Sequence, residues 1–334
     1  WIKSGLPVSE CRVNSRWKVH VRYPALLWRY LRVGRIGGIL FVPDFRHKDV
    51  PLAWALARLS GKKVVFDPLV SRYETKILDR GDAAEGSLQS WHNRNIDKFS
   101  FNMPDLVLAD TDAHARFYIN QFGVPEEKVQ TLYIGYDEDL FKESPLRASD
   151  GMLKVLFYGT YLPLHGIGTI VESASILRDD PVRFTLVGEG QTYDEVRRRA
   201  ESVSPGRIEF RNNVPAGELG SLIAGSDVVL GVFGMTPKAA MVIPNKVYQA
   251  LAVGRPVITS DNPAIRELFR SGDHLLTVPP ADARALAESL KFLESDPGLS
   301  RRLAETGGSL VRRVYNSKRI AERFADILKE KKIL

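Results

Sequence analysis

Residues 156–170 read LFYGTYLPLHGIGTI, and this segment indicates the fold class. An apolar run ends at Tyr158, Gly159 follows, and a second apolar run begins at Ile167 directly after Gly166. This order predicts a buried strand, a glycine-bearing turn and the start of a helix. Because glycine has no Cβ, amide N–H groups near residues 160–166 can face an anion at the positive end of the helix dipole.

Short β-branched runs alternate with amphipathic segments along the whole chain, which is typical of a parallel sheet covered by helices. The predicted strands are Gly38–Val42, Lys63–Asp67, Leu106–Ala109, Val129–Ile134, Lys154–Tyr158, Arg183–Val187, Ile208–Arg211, Asp227–Val232, Pro256–Thr259 and Leu275–Val278. The predicted helices are Pro51–Ser60, Asp112–Phe122, Ile167–Arg178, Tyr193–Ser202, Ala216–Ala224, Lys246–Val253 and Ala281–Ser295. We therefore predict an α/β protein with two doubly wound domains.

The domain limits follow from a polar segment between strand-like runs. Residues 142–152 contain Pro145 and Gly151 and are the best linker candidate. We predict an N-terminal domain over 1–145, a C-terminal domain over 152–316 and a closing helix within 317–334. The chain opens at Trp1 with what looks like a helix end, so we expect the first strand and most of the first helix of the N-terminal domain to be absent from this sequence.

Composition excludes several classes of protein. Cys11 is the only cysteine, so neither an intrachain disulfide nor a cysteine zinc site can form. The sequence has no run of 18 or more uncharged apolar residues and no signal-peptide pattern at its N-terminus. We expect a cytoplasmic protein whose membrane association, if any, is peripheral.

The net charge of +7 is concentrated at one end of the chain. The first forty residues carry eight basic residues and one acidic one, which leaves 39 of each sign in the remainder. Residues 16–35 interleave these cations with Trp17, Tyr23, Trp28 and leucines, the composition of an amphipathic helix at the inner face of a membrane. An ordinary surface helix with a solvated basic face fits equally well. No nucleic-acid-binding module accompanies the charge.

Five motifs in order resemble glycosyltransferase family 4, the "glycosyl transferases group 1". They are the opening stretch, FTLVGEGQ (184–191), the strand and loop 208–215, PNKVYQALAVGRPVI (244–258), and ADTD with QFGVP and IGYDEDLF (109–112, 121–125 and 134–141). The resemblance covers nearly the whole chain. It implies the GT-B architecture, two Rossmann-like parallel-sheet domains facing across a cleft, with a nucleotide-diphosphate sugar as the donor.

The resemblance and the turn chemistry together place the donor site in the C-terminal domain. The family commonly has Arg after the first glycine and Lys before the second, where this chain has Thr160 and His165. His165 can still donate to a phosphate, and better when protonated; a helix-start residue without a ligand is the alternative. The implied donor-binding residues are Gly159, Thr160, His165, Gly166, Gly188, Val214, Asn245, Lys246 and Gln249.

The start of the helix after Pro244 carries a second part of this site. Asn245 is expected to cap the helix, and Lys246 in its first turn opposes the dipole unless an anion lies nearby. A Lys pointing to solvent is the structural alternative. The paired glutamates of the family fall on Met241 and Gln249. Gln249 can bond a ribose hydroxyl, whereas Met241 cannot replace a carboxylate, so backbone amides of Gly234–Ala240 are the expected substitute.

On the acceptor side, Asp67 ends a strand where many relatives have a His facing the reacting sugar. It is the leading candidate for orienting the acceptor hydroxyl or taking its proton; a common turn carboxylate is the alternative. His47 is the second catalytic candidate, together with Asp44 and Asp49 in the same loop. Arg72, Glu74 and Lys76 either shape the acceptor pocket or form a solvated charged segment.

No metal or other cofactor is expected. Asp110 and Asp112 flank Thr111 at a strand-to-helix junction, where acids favour the first turn, so we interpret them as capping residues. His20, His92, His114 and His274 show no ligand spacing.

The sequence predicts a retaining, metal-independent glycosyltransferase that acts on a cell-envelope or lipid-linked glycan. Retention follows from the resemblance alone. A nucleotide-sugar epimerase of the same architecture and a non-catalytic relative remain alternatives. Expected partners are the nucleotide sugar, the acceptor and, through residues 16–35, the membrane surface; nucleic acid is not expected.

Overall fold

The computed structural model describes residues 8–14, 17–33 and 37–333. The chain forms two compact units. The first contains the described residues up to Ile77, then Gly81–Tyr133 and the segment from Ser317. The second contains Leu78–Arg80 and Ile134–Asn316.

The first unit is built on a parallel sheet of four strands in the order β1-β2-β3-β4. The strands are β1 (Ile39–Val42), β2 (Lys63–Phe66), β3 (Leu106–Ala109) and β4 (Val129–Thr131). Val65 pairs with Leu106, and both are fully buried, as expected for β-branched and aliphatic residues in a sheet covered on both faces. Among the described residues of this unit, four α-helices precede or connect the strands: α1 (Val19–Val33), α2 (Val50–Ser60), α3 (Leu88–Asn102) and α4 (Asp112–Phe122).

The second unit has a parallel sheet of six strands in the order β10-β9-β8-β5-β6-β7. The strands are β5 (Leu153–Tyr158), β6 (Val182–Val187), β7 (Ile208–Arg211), β8 (Val228–Leu230), β9 (Val257–Ser260) and β10 (Leu276–Val278). The chain runs outward from β5 to β7 and then crosses to β8 on the other side of β5. Because the strand order reverses there, a crevice is expected beyond the carboxyl ends of β5 and β8.

Seven helices belong to the second unit, and the last helix of the chain belongs to the first. The seven are α5 (Ile167–Ile176), α6 (Tyr193–Val203), α7 (Ala216–Ala224), α8 (Asn245–Val253), α9 (Pro263–Leu268), α10 (Ala283–Ser295) and α11 (Pro297–Val314). The last helix, α12 (Ser317–Glu330), buries Phe324, Ile327 and Leu328 in the core of the first unit beside Val65. The expected closing helix is present.

The predicted fold class is confirmed, since all ten predicted strands form and all run parallel to their neighbours. Helices α3, α9 and α11 were not predicted. The predicted limit at residue 145 differs from the compact units, which divide after Tyr133. The segment beyond Ile134 contacts the second unit: the Ser144 amide donates to the Val253 carbonyl, and Arg147 pairs with Asp227 at 2.8 Å.

Two expectations concern the N-terminal residues. Trp1–Gly5, Arg16 and Arg35 lie outside the described residues. Within the described ranges, β1 is an edge strand that pairs with β2 alone. The absence of an earlier strand from the sequence stays a prediction. Of the helices in these ranges, none has the length and apolar character needed to cross a membrane.

Candidate active site

Two glycine turns meet at the carboxyl ends of β5 and β6. Gly159 has φ +144° and Gly188 has φ +134°, a region that L side chains rarely adopt. A Cβ on Gly188 would lie 2.1 Å from the Gly159 carbonyl oxygen. The two turns therefore touch backbone to backbone, which explains why the sequence has glycine at both places.

Gly166 lets α5 begin against the loop that follows β8. Its φ is +58°, and a Cβ there would lie 2.4 Å from the Gly234 amide nitrogen. The Gly234 amide donates to the Leu164 carbonyl at 3.0 Å. Among the described side chains, none caps the N-terminus of α5. Free N–H groups at this end favour an anion.

The N-terminus of α8 is the second uncapped helix start, and the expected cap by Asn245 is wrong. The helix begins at Asn245 itself, the N-cap position is Pro244, and within the described chain no side chain caps it. Proline fixes φ and the residue after it continues into the helix, so the Asn245 side chain lies in the first turn and not ahead of it. Asn245 is exposed at this end.

Lys246 projects from the first turn of α8 toward the Gly159 turn. Its Nζ lies 3.2 Å from the place where a Cβ of Gly159 would be, and 3.8 Å from the centroid of the Phe157 ring. The side chain is 5% exposed, and Nζ has no hydrogen-bond partner among the described residues. Burial lowers the pKa of Lys246 well below its usual value.

His165 lies on the other side of the Gly159 turn. A carbonyl only accepts, so Nδ1 carries the proton and donates to the Thr160 carbonyl. Burial, and then the neighbouring charge of Lys246, lower the pKa of His165 well below its usual value. The imidazole is therefore neutral, and Nε2 has no proton for a phosphate until an anion raises this pKa.

The remaining predicted donor residues lie around the same sheet edge. The Gln249 side chain, half-buried on α8, accepts from the Tyr158 hydroxyl at 2.8 Å, which leaves its NH₂ group for a ligand. Thr160 is exposed, and Val214 is half-buried in the loop after β7. The side chain of Thr160 lies close to Gly190, where a Cβ would meet its methyl group at 3.0 Å.

The loop 231–243 does not offer all the amides expected of it. The Gly234 amide is bound to Leu164, and the Ala239 amide donates to the Thr236 carbonyl. Sequence reasoning missed Lys238 in this loop, which is 7% exposed and whose charge contributes to lowering the pKa of His165. A single lysine between apolar residues belongs to no periodic pattern, so the sequence did not indicate its burial.

In the first unit, Asp67 directly follows β2, and its backbone N–H donates to the Val42 carbonyl. Burial and the nearby charges of Asp110 and Asp44 raise the pKa of Asp67 to about 7. A carboxyl with this pKa exchanges its proton near neutral pH, which is what a general base or acid requires. Asp67 is half-buried at the carboxyl edge of the sheet.

His47, the second catalytic candidate, lies in the core. It is 2% exposed and packs edge-on against the rings of Phe66 and Phe101, at centroid distances of 5.2 Å and 5.7 Å. Burial, and then the charge of Arg72, lower the pKa of His47 to about 3. This placement favours a packing role. Asp49, from the same loop, is bound by Arg22 of α1 at 2.6 Å.

A buried array of ionised groups was missed by sequence reasoning. His114 of α4 is fully buried, with Nδ1 bonded to Asp110 and Nε2 at 2.7 Å from Glu74. Burial alone would lower the pKa of His114, but the two carboxylates raise it to about 10. The hydroxyl of Thr111, not either aspartate, caps α4 by accepting from the His114 amide. Asp112 does occupy the first turn, as expected.

The other charged residues proposed for the acceptor side are held within the first unit. Arg72 donates to the Asn93 side chain at 3.0 Å, and Glu74 belongs to the array just described. Lys76 is half-buried. In the described part of the chain, no group of three or more His, Cys, Asp or Glu side chains is arranged to hold a metal ion.

Residues 153–296 match the family model described as Glycosyl transferases group 1. This region is less than half of the chain, and it contains all nine donor-binding candidates. The resemblance seen in the motifs is thereby confirmed.

Two curated relatives have cell-envelope names. The putative colanic acid biosynthesis glycosyltransferase WcaL of Escherichia coli K12 is 27% identical over 195 residues, which is 57% of this chain and 48% of that protein. The phosphatidyl-myo-inositol mannosyltransferase of Mycobacterium leprae is 25% identical over 279 residues, 81% of this chain and 69% of that protein. The chain thus spans about half the length of the Escherichia coli relative.

A solved structure shares the fold. HepE of Anabaena, crystallised in complex with UDP-glucose, superposes with a TM-score of 0.73 at 17% identity, over 92% of this chain and 82% of that one. At this identity the likeness establishes the two parallel-sheet α/β domains of a GT-B protein.

Proposed function

We propose that this chain is a glycosyltransferase of family 4. It takes a sugar from a nucleotide-diphosphate donor held in the second unit and transfers it to a hydroxyl of a cell-envelope or lipid-linked glycan. The names of the Escherichia coli and mycobacterial relatives support the acceptor class, and the UDP-glucose complex of HepE supports the donor class.

The observation that carries the proposal is the buried Lys246. A lysine ammonium group taken out of water costs free energy unless an anion accompanies it. Its Nζ faces the Gly159 turn, where the uncapped starts of α5 and α8 also lie at the carboxyl edge of the sheet. A diphosphate placed there restores the charge of Lys246 and satisfies free backbone N–H groups.

The chemistry follows from this charge distribution. As the glycosidic bond breaks, negative charge develops on the diphosphate, and Lys246 together with the two helix ends stabilises it without a metal ion. Retention is expected when the acceptor hydroxyl attacks from the face that the diphosphate leaves. Asp67 is then the carboxylate that orients the acceptor hydroxyl or receives its proton.

A thermal-shift panel of UDP-, GDP-, ADP- and dTDP-sugars tests the donor site. A ligand that binds only the native state raises the melting temperature, so one nucleotide should stand out. Lys246→Ala should weaken this binding by about 1.5–3 kcal/mol, the contribution of a hydrogen bond to a charged group. Gln249→Ala should weaken nucleotide binding less, because the hydrogen bond from its amide is between neutral groups. EDTA should leave the nucleotide-induced rise in melting temperature unchanged.

The matched control is Lys291→Ala. Lys291 pairs with Asp180 at 2.9 Å and is largely exposed, so the same substitution removes an equal charge away from the turn. Its response to the nucleotide should equal that of the native chain. The donor assignment fails if no nucleotide sugar stabilises the folded protein, if binding requires a divalent metal, or if both lysine variants respond alike.

We further propose that α1 brings the protein to an anionic membrane surface at the cytoplasmic side. Arg22 is held by Asp49, and the Tyr30 hydroxyl donates to Ser60 of α2, so one side of α1 is packed. Trp28 and Leu31 are each 54% exposed on the helix, next to Arg29 and Arg32. Aromatic and aliphatic side chains with flanking arginines suit the interface of an anionic bilayer.

A further inference from the structure

A short π-helix, Glu74–Asp79, ends in a carboxylate that no sequence motif singled out. Asp79 lies within Leu78–Arg80, which belongs to the second unit. It is 5% exposed, and its Oδ1 accepts from the Thr236 hydroxyl at 2.9 Å. π-Helices are rare in proteins, and those that occur often lie at functional sites. The position of Asp79 at the end of one therefore indicates a functional role for its carboxylate.

The segment around Asp79 is fixed by two loops at the carboxyl edge of the second sheet. The Arg80 carbonyl accepts from the Gln191 side chain at 2.9 Å, and Gln191 directly follows Gly190 in the turn after β6. Thr236 lies two residues after Gly234, which is bound to Leu164 beside Gly166. Asp79 is therefore attached to the same two loops that enclose the Gly159 turn.

Charged groups of both signs lie around this turn. Lys246 lies at the Gly159 end, and Lys238 acts electrostatically on His165, whereas Asp79 places a carboxylate at Thr236. A diphosphate is attracted to the lysines and repelled by a carboxylate. A carboxylate accepts hydrogen bonds only, and sugar hydroxyls donate them.

We propose that Asp79 accepts hydrogen bonds from hydroxyl groups of the transferred sugar, and that Thr236 holds its carboxylate in place. This inference rests on the proposed function, because it assigns the sugar end of the same donor site. Asp79 is then a specificity-determining residue: it favours sugars with free hydroxyls on the face that meets Thr236.

The test compares a nucleotide sugar with its parent diphosphate by calorimetric titration, using UDP-glucose with UDP and GDP-mannose with GDP. For the pair that the native chain binds, Asp79→Asn should lower affinity for the sugar nucleotide about tenfold or more, and affinity for the diphosphate less than about twofold. The substituted amide keeps an oxygen that accepts from Thr236, so the fold should persist. Asp82→Asn, an exposed carboxylate three residues on, should change neither affinity.

Thr236→Val gives a second measurement that leaves Asp79 in place. Without the hydroxyl, the carboxylate is less well oriented, so the sugar nucleotide should lose affinity selectively and by less than with Asp79→Asn. The inference is overturned if Asp79→Asn weakens both ligands equally or neither. A native chain that binds none of the UDP-, GDP-, ADP- and dTDP-sugars overturns the proposed function instead. Lys246→Ala, which should weaken the sugar nucleotide and the diphosphate alike, separates the two failures.

Discussion

His114 neutralises two carboxylates in the interior of the first unit. Glu74 and Asp110 would each pay a large desolvation cost if they were ionised and unpaired, and the imidazolium between them offsets it. The buried Tyr118 ring stacks on the imidazole at 5.7 Å and completes its apolar surroundings. The array includes Asp110, whose charge in turn contributes to the raised pKa of Asp67.

Replacing His114 should therefore destabilise the protein in a pH-dependent way. His114→Gln leaves two buried carboxylates without a counter-charge, which should cost about 3–5 kcal/mol at pH 7. The folded pKa of about 10 lies above the unfolded value, so this stabilisation is fully present below about pH 6.5 and is lost as pH rises through about 10. Urea unfolding at about pH 7 and about pH 10.5, on either side of that folded pKa, measures it.

The matched control is His92→Gln on the exposed face of α3. That variant should unfold like the native chain at both pH values. If the deficit of His114→Gln is as large at the alkaline pH as at the neutral one, the imidazolium is not its source.

Part of the site could be predicted from the sequence. The predictable residues carry signals that are local in sequence, whereas the missed ones meet across long stretches of chain. Gly159, Gly166 and Lys246 mark a strand-to-helix turn and a helix start, which are local signals, and the structure brings them together. Glu74 lies 40 residues from His114, so their contact depends on how the strands pair. The Asp110–His114 spacing of i, i+4 was the one available hint.

At the level of elements, strands were predictable because most are short apolar runs, of which β3, β8 and β9 are buried completely. Helix α3 was not, because its inward face is polar: Asn93, Asp97 and Ser100 are buried there and bonded within the unit. Helix α11 contains Gly307 and Gly308, which look like a break in the sequence. A Cβ on Gly307 would lie 2.3 Å from the His274 carbonyl oxygen, so close packing and not a turn requires this glycine.

Helix α1 should bind membranes through exposed residues that do not hold it to the protein. Arg22 is excluded from this test because it is paired with Asp49. Replacing both Arg29 and Arg32 by Gln should weaken binding to vesicles containing phosphatidylserine by about 2 kcal/mol, roughly 30-fold, at about 1 kcal/mol for each arginine. Trp28→Ala should also weaken binding, since the ring is exposed and Arg32 lies 3.8 Å over it.

Co-sedimentation with anionic and neutral vesicles measures the effect. Arg58→Gln, an exposed arginine on α2, is the matched control and should bind as the native chain does. Raising the salt concentration should release the native protein from anionic vesicles. Binding that ignores salt, or that survives the double substitution unchanged, would rule out this role for α1.

At the scale of the whole molecule, the chain leaves the first unit twice and returns to it twice. The two units therefore do not correspond to an N-terminal half and a C-terminal half of the sequence. Leu78–Arg80 belongs to the second unit although its neighbours on both sides belong to the first, and α12 returns to the first unit after Asn316. A closing helix could be predicted from its strong amphipathic pattern. Which sheet it covers could not, because both sheets present aliphatic residues to their helices.

Because α12 packs in the first unit, we expect it to stabilise that unit. Phe324, Ile327 and Leu328 are at most 6% exposed and contact Val65 and Leu108 of the first sheet. Burying each such side chain contributes about 1.5–3 kcal/mol, so losing all three removes several kcal/mol from a unit whose whole stability is about 5–15 kcal/mol.

A chain ending at Asn316 should therefore unfold its first unit at a lower temperature, while its second unit keeps the nucleotide response. Scanning calorimetry with and without the selected nucleotide measures both, and a chain ending at Lys331, which retains α12, is the control. If the shorter chain melts like the control, or if its nucleotide response disappears with the helix, α12 does not stabilise the first unit in the way its contacts indicate.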